Sequence, residues 1–191
     1  MTTPINNQVY SEIGKLEGVI IHSPGPEVEN MTPQNAERAL YSDILNLNVA
    51  KREYSQFQGS LEKLTNVFQV RDLLNDILSN QRVKEDLVTR IVKNEGAPDL
   101  QDLLLNIDNN ELTRQLIEGV VLTKDNLTRY LSRQRYSLRP LHNFFFTRDA
   151  SVTVFDKVLI NKMASKVRVR ESIIMEAIFD YHPGFQTKTV N

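Results

Sequence analysis

The sequence of 191 residues contains no cysteine. Disulfide bonds, thiolate metal sites and a thiol nucleophile are therefore all excluded within this chain. Histidine is also scarce, because only His22, His142 and His182 are present, and they are far apart in the sequence without the spacing of metal ligands. We therefore expect neither a metal site nor a cofactor.

Long apolar runs are absent as well, since none approaches the roughly 18 residues that a membrane-spanning helix requires. The N-terminus, MTTPINNQVYSEIGK, is polar and lacks the apolar core of a signal peptide. A net charge of -1 creates no overall field that would attract nucleic acid or an anionic membrane. The sequence therefore predicts a cytoplasmic protein without nucleic-acid or membrane partners.

The composition is that of an ordinary soluble globular protein, with 40% hydrophobic and 25% charged residues.

In residues 16–27, LEGVIIHSPGPE, a β-branched run stops at Ser-Pro-Gly-Pro and predicts a buried strand. Thr32 as an N-cap, followed by proline, predicts a long helix that extends to about Gln58 and breaks near Gly59. A second strand follows at residues 66–70. This order indicates an α/β unit with a crossover helix.

Residues 71–137 have a different pattern, with apolar residues at helical spacing and no strand pattern. Asp108 begins a sequence like a capping box, and Thr123 can cap one more helix. The segment predicts a small helical bundle inserted into an α/β domain. The apolar stripes are Leu73, Leu74, Ile77 and Leu78; Val83, Leu87 and Ile91; Leu100, Leu103, Leu104 and Ile107; and Leu112, Leu116 and Val120.

After Pro140 the strand pattern returns. The apolar stretch NFFFT, residues 143–147, predicts a strand, and SVTVFDKVLINKM predicts a hairpin that turns near Asp156. RESIIMEAIFDYHPGF predicts a helix that ends before Pro183, with His182 as a residue of the helix end.

The stretch PLHNFFFTRDAS, residues 140–151, joins three phenylalanines directly to Arg148 and Asp149. In one interpretation the rings fill a core, Arg148 makes an ion pair and Asp149 starts a turn. In the other, Asp149 lies at a strand end, where ligand sites of α/β proteins collect. A partly desolvated carboxylate there would bind a cation, and a guanidinium fits best because its planar fork gives two parallel hydrogen bonds.

A second basic motif, KVRVRES, contains Arg168 and Arg170. These residues are either a solvated start to the last helix or residues with a specific task. A cation lies unfavourably at a helix N-terminus, which favours a specific task for at least one of them.

Four blocks of the sequence resemble, in this order, the N-terminal half of bacterial arginine deiminases. They are IHSPGPEVENMTPQN, LYSDILNLNVAKREYSQF, PLHNFFFTRDAS and NKM…RVRES…IFDYHP. The family pattern P-L-x-N-x-x-F-T-R-D is met from Pro140 to Asp149. The resemblance implies an α/β fold in which residues 1–70 and 138–191 form part of a pentein-type α/β propeller, with residues 71–137 as an inserted helical domain.

The resemblance also implies a reaction, the hydrolysis of L-arginine to L-citrulline and ammonia through a covalent intermediate on a cysteine. By the motif, Asp149 binds the substrate guanidinium, and Asn143 and Phe146 line its pocket. Arg168 binds the α-carboxylate of the substrate, and Arg148 supports Asp149 structurally. The partner of the protein would then be a small molecule, arginine.

The chain departs from the family pattern because the nucleophilic cysteine, a histidine and a second guanidinium-binding glutamate belong to the C-terminal half of these enzymes. We therefore predict that the chain alone is inactive and is the N-terminal part of an arginine deiminase. The alternative is a non-catalytic or differently specific relative that acts as an amino-acid-binding or structural module. Unpaired sheet edges and an apolar surface would also favour a homo-oligomer.

Overall fold

Short α-helices and small β-sheets make up the computed structural model, which describes residues 5–29, 45–123 and 135–191. The strands are β1 Ile5–Asn6, β2 Gly18–Ile21, β3 Asn66–Gln69, β4 Val120–Val121, β5 Tyr136–Leu138, β6 Ser151–Val154, β7 Lys157–Ile160, β8 Phe185–Gln186 and β9 Lys188–Val190. The α-helices are α1 Pro26–Glu29, α2 Leu47–Leu61, α3 Val70–Ile77, α4 Gln81–Glu95, α5 Gln101–Leu105, α6 Asn109–Glu118, α7 Thr147–Ala150 and α8 Val169–Tyr181. The fold is mixed α/β, and none of the sheets in the described ranges closes on itself.

The first α/β unit has the predicted order. Strands β2 and β3 pair in parallel, with Ile20 opposite Phe68, and α2 lies between them in the chain. The long helix predicted after Thr32 is confirmed from Leu47 to Gln58 and is wrong at residues 45–46 and in its break near Gly59, while residues 30–44 lie outside the described residues. Asn46 is extended and accepts a hydrogen bond from Val49 N, so that α2 begins after it. The helix then continues through Gly59, because one glycine costs a helix only about 1 kcal/mol.

The helical segment follows its apolar stripes through α3, α4, α5 and α6. The predicted cap is confirmed, because the Asp108 side chain accepts a hydrogen bond from Glu111 N at 3.1 Å. The absence of strands predicted for this segment is wrong, since β4 pairs antiparallel with β5. Helix α6 ends at Gly119, which has a φ of 86°, and a Cβ there would meet Leu138 O at 2.5 Å. The helix predicted after Thr123 lies outside the described residues.

The C-terminal part contains the predicted hairpin and helix. Strands β6 and β7 pair antiparallel around a turn at Phe155 and Asp156, and β9 pairs in parallel with β7. The strand predicted for NFFFT is wrong, because this stretch is a turn followed by the single-turn helix α7. Its backbone N–H groups bond locally, as when Phe146 N donates to Asn143 O at 3.0 Å, and so they do not require a neighbouring strand.

One continuous apolar core connects the helical segment with the C-terminal helix. Helix α8 packs against α4 and α3, and buried residues of all three helices belong to the same cluster. This packing sets the position of the N-terminal end of α8, where Arg168 lies. Among the described helices, none combines the length and apolarity that a bilayer crossing requires.

Candidate functional site

Helix α7 lies beside the C-terminal end of strand β2. The Thr147 hydroxyl donates to Ile20 O at 3.0 Å and ties the start of α7 to that strand. From the other side, the Asn161 amide donates to Asp149 O at 3.0 Å, and Ser172 of α8 donates to Asn161 O at 2.8 Å. These three hydrogen bonds hold the TRD segment between the parallel strand pair, the hairpin and α8.

Asp149, Arg168 and Glu171 form a chain of ion pairs, called here the Arg168 network. Arg168 Nη1 donates to Asp149 Oδ2 at 2.8 Å. On its other edge, Arg168 donates through Nη2 to Glu171 Oε2 at 2.8 Å and through Nε to both Glu171 oxygens at 3.1 and 3.2 Å. Two of the residues assigned from the sequence, Asp149 and Arg168, are therefore in direct contact.

Solvent exposure falls steadily along the Arg168 network. The side chain of Asp149 is 51% exposed, that of Arg168 is 13% exposed and that of Glu171 is 1% exposed. Burial raises the pKa of Glu171 to about 7, although Arg168 opposes this shift. Burial also opposes the charge of Arg168, but the Glu171 and Asp149 carboxylates outweigh it and raise the Arg168 pKa.

Asn143 and Phe146 border the Arg168 network. The Asn143 side chain is buried, and its backbone carbonyl accepts a hydrogen bond from Arg168 Nη2 at 3.5 Å. Phe146 is about half exposed, and its ring centroid lies 4.3 Å from that of Phe145. Arg148 points to the exposed surface and donates to Glu12 at 2.8 Å, so that its guanidinium has a partner other than Asp149.

The structure bears on the burial expected for Asp149 and on the two alternatives left open for Arg170. The Asp149 carboxylate extends from a single-turn helix and is half exposed, which agrees with the partial desolvation expected for it. Arg170 is fully buried rather than solvated: it donates to Arg139 O and lies 3.4 Å from a Glu95 oxygen. Burial lowers the pKa of Arg170 to about 10, against the opposing effect of Glu95 and Glu171.

A second set of ion pairs, called here the Glu27 network, consists of His22, Glu27, Arg71 and Glu118. Glu27 Oε1 lies 2.9 Å from His22 Nε2 and accepts a hydrogen bond from Gly25 N at 2.7 Å. Arg71 lies 3.7 Å from Glu27 Oε2 and donates to Glu118 at 2.9 Å. Burial alone would raise the pKa of Glu27, but the hydrogen bonds from His22 and Gly25 keep it below its ordinary value. This network joins the end of β2 to α3 and α6.

Glu171 is the site residue that the sequence analysis missed. Its signal is the spacing of three residues from Arg168, at which side chains on a helix become neighbours. In the part of the chain that the structure describes, no group of three His, Cys, Asp or Glu residues could hold a metal ion. The arrangement offers a carboxylate and a guanidinium to a polar ligand that carries both charges, once the contact between Asp149 and Arg168 has opened.

Comparisons with known proteins point to a single family. The family model described as arginine deiminase matches residues 37–191, which include every residue of the Arg168 network. The chain is 36% identical over 200 residues to the arginine deiminase of Borrelia recurrentis, covering 96% of this chain and 48% of that protein. It is also 36% identical over 205 residues to the arginine deiminase of Bacillus cereus, covering 100% of this chain and 49% of that protein. The chain thus spans about half the length of the curated relatives it matches.

Proposed function

Because the chain belongs to the arginine deiminase family, we propose that it supplies the arginine-binding part of an enzyme that hydrolyses L-arginine to L-citrulline and ammonia. The observation that carries this proposal is the contact between Asp149 and Arg168. These residues are 19 positions apart in the sequence and lie 2.8 Å apart beside Asn143, within the matched segment. The family match over the whole chain favours this function over that of a non-catalytic binding module.

The proposed roles follow from the charge of each group. Asp149 accepts two hydrogen bonds from the substrate guanidinium and orients its central carbon for attack. Arg168 binds the α-carboxylate, which selects free arginine over an amine that lacks this group. Asn143 and Phe146 line the pocket, the amide by hydrogen bonding and the ring by packing on the substrate. Arg148 supports the α7 segment that carries Asp149.

The covalent step needs a nucleophile that these 191 residues do not contain. The implied intermediate forms on a thiolate, and the chain has no cysteine. We therefore propose that the nucleophile lies in another part of the protein and that this chain alone does not hydrolyse arginine. Arginine is the small-molecule partner. The absence of a cofactor, the cytoplasmic location and self-association stay predictions.

The same proposal covers the architecture. Residues 1–70 and 138–191 would form part of a pentein-type α/β propeller, and residues 71–137 would form its helical insertion. The parallel β2–β3 unit and the mixed α/β composition support this assignment. An experimental structure of the longest reading frame that contains this chain would test it, and an arrangement without repeated α/β units around a centre would contradict it.

The functional test uses that same longer protein and measures citrulline formed from L-arginine. We expect Asp149→Ala to lower kcat/KM by roughly 30-fold or more, since removing one partner of a hydrogen-bonded charge pair costs about 2–5 kcal/mol. Asp86→Ala is the matched control, because the Asp86 side chain is 50% exposed, close to the 51% of Asp149, and lies 3.8 Å from another guanidinium, that of Arg90. A protein that forms no citrulline, or one in which Asp149→Ala is as active as the control, would contradict the proposal.

A further inference from the structure

Arg168 is held by two carboxylates in different ways. Asp149 receives one hydrogen bond, from Nη1, and its side chain is half exposed on a helix of a single turn. Glu171 receives three, from Nε and Nη2, and its side chain is buried in the first turn of the thirteen-residue helix α8. The first contact can exchange with solvent or a ligand, whereas the second lies in a region from which water is excluded.

The contact with Asp149 must open when arginine binds as proposed above, and this step rests on the proposed function. In that function, Asp149 and Arg168 bind the two ends of one arginine molecule. The aliphatic part of arginine separates its guanidinium from its α-carboxylate, so that two residues in direct contact cannot each bind one end. Arg168 Nη1 therefore occupies one acceptor, Asp149 Oδ2, that the proposed pair of hydrogen bonds from the substrate guanidinium requires.

Once that contact opens, Arg168 keeps its place only if another group holds it. A free arginine side chain would lose its orientation to rotamer disorder, at a cost in binding free energy. Glu171 accepts hydrogen bonds from Nε and Nη2 of Arg168 and leaves Arg168 Nη1 available to a new acceptor. We propose that Glu171 is the positioning residue that keeps Arg168 aimed at the substrate α-carboxylate after Asp149 has exchanged Arg168 for the substrate guanidinium.

The surroundings of Glu171 support a charge-dependent role. The charged groups that act on it are Arg168, Asp149 and Arg170, and Arg170 is already engaged by Glu95 and by the Arg139 carbonyl. Burial raises the pKa of Glu171 to about 7, so protonation in the neutral range weakens its hold on Arg168. Below that pH the side chain of Glu171 is protonated and uncharged, as a glutamine side chain is.

The test uses Glu171→Gln in the longest reading frame that contains this chain, with L-arginine and agmatine as paired probes. Agmatine has no carboxylate and is measured as a substrate or as a competitive inhibitor. At pH 8 we expect the KM for arginine to rise on the order of tenfold and the affinity for agmatine to change by less than about twofold. At pH 5.5 the difference between variant and wild type for arginine should largely disappear. The matched control is Glu176→Gln, because Glu176 lies on the same helix as Glu171 and its replacement breaks a different ion pair, with Arg90 of α4.

A double-mutant cycle separates positioning from general support of the fold. In an Arg168→Ala background, Glu171→Gln should no longer change the KM for arginine, because the residue through which it acts is gone. An unchanged KM in the single variant, or equal losses for arginine and agmatine, would contradict the role of Glu171 while leaving the proposed function standing. If the unsubstituted protein does not hydrolyse arginine, the proposed function fails, and the inference fails with it.

Discussion

The Glu27 network and the Arg168 network both pair arginine with carboxylates near the C-terminal end of β2, and they differ in their access to water. Glu27 is buried between His22, the Gly25 N–H group and Arg71. In the Arg168 network only the inner end is buried, and Asp149 faces solvent.

This difference in exposure separates a structural task from a binding task. Removing one partner of a buried ion pair leaves an uncompensated charge, at a cost of about 3–5 kcal/mol. An exposed pair contributes only about 0–1 kcal/mol, because water replaces the lost partner. The Glu27 network therefore joins β2 to the helical segment, whereas the outer contact of the Arg168 network can be exchanged for a ligand.

The largest expected effect is a loss of stability when the Glu27 network is broken. Glu27→Ala should lower the free energy of unfolding by about 3–5 kcal/mol, since it leaves His22 and the Gly25 N–H group without their acceptor. Denaturant unfolding of the longer protein measures this change. Glu29→Ala is the control, because Glu29 is exposed on the same short helix and should change the value by no more than about 0.5 kcal/mol. Equal effects of the two substitutions would remove the distinction between the networks.

The next effect is a pH dependence that originates at Glu171. Burial raises its pKa from 4.5 to about 7, so the folded state holds this proton more tightly than the unfolded state does. The stability that it contributes is fully present below pH 4.5 and is lost as the pH rises through about 7. At about 1.4 kcal/mol per pKa unit, the loss is roughly 3 kcal/mol. From pH 5 to pH 8, the free energy of unfolding should therefore fall more for the wild type than for Glu171→Gln. Equal falls for the two proteins would contradict this prediction.

The smallest expected effect is the change in stability when the exposed residue of the Arg168 network, Asp149, is replaced. Asp149→Asn should change the free energy of unfolding by less than about 1 kcal/mol, because its carboxylate is half exposed. Thermal unfolding of the longer protein measures this change, alongside the loss of arginine hydrolysis already proposed for position 149. A stability loss as large as that of Glu27→Ala would show that Asp149 has a structural task instead.

Sequence patterns predicted the local elements well where a single periodicity governs them. The apolar stripes of α3 and α4, the cap at Asp108 and the hairpin turn at Asp156 all appear where they were expected. The pattern misled at NFFFT, because three apolar residues in a row fit a buried strand and a packed turn equally well. It also misled at Val120, where helical spacing continues past a glycine that ends the helix.

The sequence by itself determined the family, the first α/β unit and the helices from α3 to α6, because these depend on local periodicity and on a contiguous motif. Only the tertiary structure decided that Arg168 donates hydrogen bonds to both Asp149 and Glu171 and that Arg170 is buried. These contacts depend on how α8 packs against α3 and α4 and on how Asn161 joins α8 to α7. Such packing places the N-terminal end of one helix beside a distant turn, a relation that no periodicity within either segment encodes.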